Sequence, residues 1–264
     1  MIKQKLLLAS AGLWICLSVA AQSETPPPSM QTAQSLLGQN LIKFNVTGVL
    51  IQNYMLQYER VINKKQSIAF TFDLAPNVPL PFKSTLLKDF GSNSDASRAI
   101  AETVYKKYIA TLEYRFYFNG NAPKGLYFAP FLRYMNMSQS NVYTFTPSDG
   151  QLHTADMHSN FNGFGVGFLI GDQFTLGPHF ALDWWIIGPF YGTNINANFV
   201  GTDPKMGDMS AQDLANVENN IQNIKLPLYK VTAVATPATN TLEAKVSGPY
   251  YGVRAFGLAF AYRF

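Results

Sequence analysis

From position 41 onward, large apolar residues alternate with small or polar ones in stretches of roughly ten residues. That is the period of a β-strand and the length that a tilted transmembrane strand needs. Eight strands are predicted: Leu41–Ile51, Asn53–Ile62, Gln66–Ala75, Val104–Phe118, Leu126–Ser138, Asn160–Ile170, His179–Gly188 and Tyr250–Phe264. Short turn-like links (Asn63-Lys64-Lys65, Asn119 to Gly125, Gly171 to Pro178) alternate with connections at the other end. These are a tight link near Gln52, then Pro76 to Thr103, Gln139 to Ser159 and Pro189 to Pro249. Short turns at one end and long loops at the other are the pattern of outer-membrane barrels. The expected fold is all-β: a closed eight-stranded antiparallel transmembrane β-barrel with long external loops.

The alternation also predicts which face is which. Phe44/Val46/Leu50, Tyr54/Leu56/Tyr58, Ile68/Phe70/Phe72/Leu74 and Tyr108/Leu112/Tyr114/Phe116 form one face of the first four strands. Leu126/Phe128/Leu132/Tyr134, Phe164/Val166/Phe168/Ile170, Phe180/Leu182/Trp184/Ile186 and Phe256/Leu258/Phe260/Tyr262 continue it. The opposite face carries Asn45, Thr47, Gln57, Ser67, Thr71, Thr111, many glycines and alanines, and eight charges. These are Lys43, Glu59, Asp73, Glu113, Arg115, Arg133, Asp183 and Arg263, four of each sign. A β-sandwich would bury its apolar face and solvate the other. Charge gathered on the face opposite the apolar one fits a barrel lumen better, and a lumen this narrow is filled by side chains. Charges inside it must pair or stay solvated, so a plugged, salt-bridged core is expected, with Glu59 within reach of Glu113 and Arg115.

The termini bear on compartment. Lys3 and Lys5 precede an uncharged apolar run from Leu6 to Val19, followed by small residues, which reads as a cleaved secretory signal over residues 1–21. Residues 22–40, with Pro26, Pro27 and Pro28, read as a flexible periplasmic lead-in, and 41–264 as the barrel. Cys16 is the only cysteine and lies in the signal; Ile15 before it is bulky where a lipoprotein signal wants a small residue. Once the signal is removed no thiol remains, which excludes disulfides, zinc–thiolate sites and cysteine nucleophiles. The formal net charge is +4, half of it from Lys3 and Lys5, and makes no case for nucleic-acid binding. Aromatic and charged residues are each 14%, and no segment after the signal is apolar and long enough for a membrane helix. At the other end, Phe256, Phe260, Tyr262 and the final Phe264 look like the terminal signal read by barrel-assembly machinery.

Three stretches carry a resemblance: FNVTGVLIQNYMLQYERVINKKQSIAF (Phe44–Phe70), LEYRFYFNGNAPKGLYFAPFLRY (Leu112–Tyr134) and the terminal GVRAFGLAFAYRF. With these, the chain resembles small outer-membrane β-barrels of the OmpA-transmembrane-domain type. More narrowly, it looks like a family of outer-membrane barrel proteins of unknown function. The resemblance implies fold and a Gram-negative outer-membrane location. It brings no activity with it.

Other candidates are weighed against plainer roles. His153, Asp156 and His158 could ligate a metal or supply a general base, or simply occupy a polar loop. His179 and Asp183 are expected on one inward face, where lumen packing is the plainer reading of a candidate acyl-transfer pair. Ser210-Ala211-Gln212-Asp213 looks like a capping box ahead of Leu214, Val217, Ile221 and Ile224, so a short helix is expected in the last loop, folded over the barrel mouth. Ala96 to Lys107 is a weaker helical candidate. Tyr54, Tyr58, Tyr114, Tyr117, Tyr134, Trp184 and Tyr262 suit membrane-interface girdles. Phe82, Phe90, Tyr143, Phe145, Tyr191, Phe199 and Tyr229 are loop aromatics that could form a sugar platform or pack locally. No G-x-S-x-G, P-loop or H-E-x-x-H occurs after the signal. The expected function is therefore non-enzymatic and cofactor-free. The expected partners are outer-membrane lipid, the assembly machinery, and a protein or glycan reached through the external loops. A small-solute channel and an outer-membrane lipid enzyme are the alternatives.

Overall fold

The computed structural model of the chain describes residues 38–81, 83–90, 101–148, 150–224 and 228–264. The expected signal, most of the lead-in, Phe82, and residues 96–100 of the second helical candidate lie outside these, as does the side chain of Phe90.

Among the described residues nine strands form one antiparallel sheet: β1 (Asn40–Asn45), β2 (Tyr54–Asn63), β3 (Gln66–Pro79), β4 (Val104–Tyr117), β5 (Gly125–Phe145), β6 (His153–Leu176), β7 (Phe180–Thr202), β8 (Lys230–Thr236) and β9 (Thr241–Arg263). Neighbours follow the order β1-β2-β3-β4-β5-β6-β7-β9-β8, and β1 also pairs with β9, so the sheet closes into a ring. Leu41 faces Arg263 across that seam, and Phe264 and Asn40 exchange backbone hydrogen bonds of 2.9 and 3.2 Å beside it. The seam spans only Leu41–Asn45 on β1 and Ala259–Arg263 on β9. β8 pairs with the opposite end of β9, Thr241 to Ser247.

Several expected boundaries move. β1 stops at Asn45, because its side chain accepts from the Gly48 amide at 2.8 Å and caps a one-turn helix, α1 (Val46–Val49). The expected strand to Ile51 does not form, and Leu50 is 85% exposed beyond the helix. A second helix, α2 (Lys83–Phe90), lies between β3 and β4. The larger correction concerns the expected loops. β5, β6, β7 and β9 are 21, 24, 23 and 23 residues long, so most of Gln139 to Ser159 and much of Pro189 to Pro249 is strand. About ten residues per strand suffice to cross a membrane. These four therefore continue well past that length, while β1 to β4 have 14 residues or fewer.

Along these strands the sheet inverts. At the turn end its outer face is a belt of apolar side chains, among them Phe44, Leu56, Phe70, Leu112, Leu132, Phe168, Trp184 and Phe260, each 40–58% exposed. At the far end the outer face turns polar and the interior becomes apolar: Phe145, Ala155, Met157, Leu242 and Ala244 pack together with Met206. Helix α3 (Ala211–Gln222) covers this cluster with Val217 and Ile221. Ser210 caps it by accepting from the Asp213 amide at 3.1 Å, as the capping pattern predicts. Asp213 in turn accepts from the amide and hydroxyl of Ser148 at 3.0 and 2.7 Å, tying the helix to the β5–β6 link.

Candidate functional site: a charged plug across the ring

The turn-end interior is built from polar side chains that strand alternation points inward. Lys43 (β1), Gln57 and Glu59 (β2), Arg115 (β4), Gln173 (β6) and Asp183 (β7) have no exposed surface at all. Lys43 Nζ lies 2.5 Å from Glu59 and 2.6 Å from Asp183, and donates to Gln173 at 2.6 Å. Arg115 is the hub. Its guanidinium contacts Asp183 at 2.7 Å, Glu113 at 2.8 Å and Glu59 at 3.3 Å, and donates to Gln57 Oε1 at 3.0 Å.

The remaining acceptor positions are filled. Ser67 and Tyr117 donate to Glu59 Oε1 at 2.5 and 2.7 Å, and Tyr127 donates to Asp183 Oδ1 at 2.7 Å. Arg115 also lies 4.4 Å above the Tyr127 ring, a cation–π contact. Glu113 Oε1 takes a second arginine, Arg254 of β9, at 2.8 Å. Arg254 is itself 4.4 Å from the Trp185 ring. Three cations (Lys43, Arg115, Arg254) meet three carboxylates (Glu59, Glu113, Asp183), and every strand of the closed ring contributes a side chain. Buried charges are tolerated under these conditions, paired and with the spare lone pairs bonded.

Of the eight expected lumen charges, five converge here: Lys43, Glu59, Glu113, Arg115 and Asp183. Arg133 stands farther along, donating to Thr111 and Tyr250 at 3.1 and 3.2 Å and lying 3.9 Å from Asp73. Arg263 sits half-buried at the turn-end rim, where it donates to the Gly38 carbonyl at 2.7 Å. Arg254 was not expected inside. Strict alternation from the last residue puts it on the outer face with Phe256. The Phe256 backbone has φ +57°, and the inward positions change phase there, from Tyr250 and Arg254 to Gly257, Ala259 and Ala261. A local irregularity that flips the pleat is invisible to a period-two count. Tyr117 is corrected too: it is buried in the plug and not part of a girdle. Its odd position in β4 already pointed inward. Phe256, Phe260, Tyr262 and Phe264 all face outward, 78, 42, 47 and 47% exposed.

The other candidates do not assemble. His153 points inward and its Nδ1 lies 2.6 Å from Asp203, while Asp156 and His158 are exposed on the opposite face of β6. Among the described residues no group of three or more His, Cys, Asp or Glu could hold a metal ion. His179 is an exposed rim residue beside the Arg263 carbonyl, apart from the buried Asp183. Of the loop aromatics, Phe145 is core, and Tyr143 and Phe199 pack against it.

Compared with known proteins, the chain matches no family model and no curated protein.

Proposed function

We propose that the protein is an integral outer-membrane β-barrel whose lower half is a sealed, non-conducting anchor and whose far half presents a rigid surface outside the membrane. The observation that carries this reading is the inversion of the sheet, with an apolar belt, broken on β6 by Asp172, around a charge-balanced interior. Soluble proteins rarely expose contiguous apolar area beyond a few hundred Å², whereas a closed ring satisfies its backbone within hydrocarbon. In this reading eight strands span the membrane, the turn end faces the periplasm, and residues 1–21 are the export signal. The resemblance to OmpA-type barrels agrees with it.

The role is non-enzymatic contact-making with the envelope, a protein or a glycan. The surface that does it is the wall of β5, β6, β7 and β9 capped by α3 and β8, not a set of flexible loops. The small-solute channel is disfavoured by the plug, whose three cations and three carboxylates are buried and paired with one another across the ring. Planar-bilayer recording tests this. Purified protein is expected to give silent traces, and Glu113→Ala or Arg115→Ala to introduce openings. Steady conductance by folded wild-type protein would overturn the sealed anchor, and recovery of the protein in the soluble periplasmic fraction would overturn the membrane reading itself.

A further inference from the structure

Immediately beyond the apolar belt, the outer face of β5, β6 and β7 becomes an asparagine wall. β5 contributes Asn136, β6 Asn160 and Asn162, and β7 Asn194, Asn196 and Asn198, with Tyr134 and Tyr191 where the belt ends. The β7 asparagines owe their placement to a bulge. β7 carries one residue more than β6 between the pairs His158↔Val200 and Gly165↔Gly192. The extra residue flips the pleat, so Ile195 and Ala197 turn into the core and the asparagines face out. Side chains on adjacent strands are cross-linked: Asn136 Nδ2 donates to Asn160 Oδ1 at 3.1 Å and Asn162 Oδ1 at 2.7 Å, and Tyr134 donates to Asn162 at 2.9 Å. Beside them lies a cleft of about 560 Å³ lined by Asn160, Asn198, Ser138, Ser140, His158 and Lys106 among others.

We infer that this wall and cleft bind the oligosaccharide headgroup of a glycolipid embedded in the surrounding leaflet. The chemistry argues for sugar. Carboxamides and hydroxyls both donate and accept, so they match a neutral polyol whose hydroxyls do the same. An array held by its own cross-strand bonds loses little side-chain freedom on binding. The cleft falls within the roughly 300–1,000 Å³ of small-molecule sites. Position argues for a lipid-anchored source. The amides begin where the apolar belt ends, the level at which a glycolipid in the same leaflet places its first sugars. The lipid tails then have the belt to lie against.

This inference rests on the membrane reading and is tested separately from it. Full-length protein is placed in nanodiscs of phosphatidylglycerol supplemented with lipopolysaccharide, or with its lipid portion stripped of core sugars. Bound glycolipid is counted by native mass spectrometry. Wild type is expected to retain the sugar-bearing form preferentially. The exposed triple variant Asn136→Ala, Asn160→Ala, Asn198→Ala, checked for heat-modifiable gel mobility, is expected to lose that retention about tenfold or more. Equal retention of both lipids by wild type, or unchanged retention by the folded variant, would overturn the inference and leave the anchor intact. A chain that fails to enter nanodiscs at all would sink the membrane reading instead.

Discussion

The two halves of this molecule are made of the same strands and solve opposite problems. At the turn end the outside is apolar and the inside is charged; at the far end Asn160 faces out while Phe161 and Ile195 face in. The lower interior is held by directional ion pairs converging on Arg115, the upper by burial of Met206, Leu242, Val217 and Ile221. In the membrane setting proposed above, an anchor surrounded by hydrocarbon gains little from apolar burial, since lipid is as apolar as a core. Its specificity must come from polar contacts. In the same proposed setting, water surrounds the wall above the belt, and the hydrophobic effect is again available.

Substitutions can break this contrast. The largest effect is expected from Arg115→Met, which removes the hub and leaves Glu113 with Arg254 alone and Asp183 with Lys43 alone. Removing one partner of a buried pair costs about 3–5 kcal/mol, read as a lowered urea midpoint in micelles for the whole ring. Leu242→Ala should cost about 2–5 kcal/mol. Its loss should appear as faster hydrogen exchange in α3 and β8 with the plug still protected. If both variants loosen both halves equally, the two interiors are one cooperative unit and the contrast fails.

An outer-face pair sharpens it. Leu132→Arg places a charge in the belt and should cost about 2–4 kcal/mol in a bilayer, whereas Asn160→Arg on the wall should stay within about 0.5 kcal/mol. Similar penalties for both would erase the boundary between belt and wall. A smaller effect should follow from pH at α3. The hydroxyls of Ser210 and Ser148 and the Ser148 amide, donating to Asp213, hold its carboxyl below the ordinary range. A carboxyl lowered on folding stabilises the folded state above its unfolded value of about 3.9, and that contribution is lost as pH falls through the folded value. Hydrogen exchange in α3 should therefore accelerate below about pH 4, and the acceleration should vanish in Asp213→Asn. Ser210→Ala, the mildest change, should weaken the same helix by about 1 kcal/mol.

Much of the lower half was legible in the sequence. In β4, and in β2 and β3 as far as Val61 and Ala75, the apolar face and the charged face alternate regularly, so Glu59, Glu113 and Arg115 could be placed inside by counting. The upper half was not, because its polarity is reversed. A stretch such as His153 to Ser159 carries Thr154, Asp156 and His158 outward and Ala155 and Met157 inward, which reads as loop when an apolar outer face is the criterion. The phase changes at Phe256 and on β7 hid Arg254 and the outward asparagines for one reason: each inserts a step that a strict two-residue period cannot represent. The α3 cap was legible, because Ser210 and Asp213 announce it locally. Its tie to Ser148 was not, since nothing in either segment encodes the partner.

The seam has a kinetic consequence. β7 and β9 share twenty register pairs, while β1 and β9 share five and join residues at opposite ends of the sequence. Hairpins close short loops and can form early, whereas the seam must draw together two points separated by nearly the whole strand region, at the greatest entropic cost for the fewest bonds. The ring is thus expected to zip from its long staves and to close last at β1. Until then two lower edges would be open, the six-residue β1 and the part of β9 beyond Ser247 that β8 does not cover, each able to meet a stray neighbour.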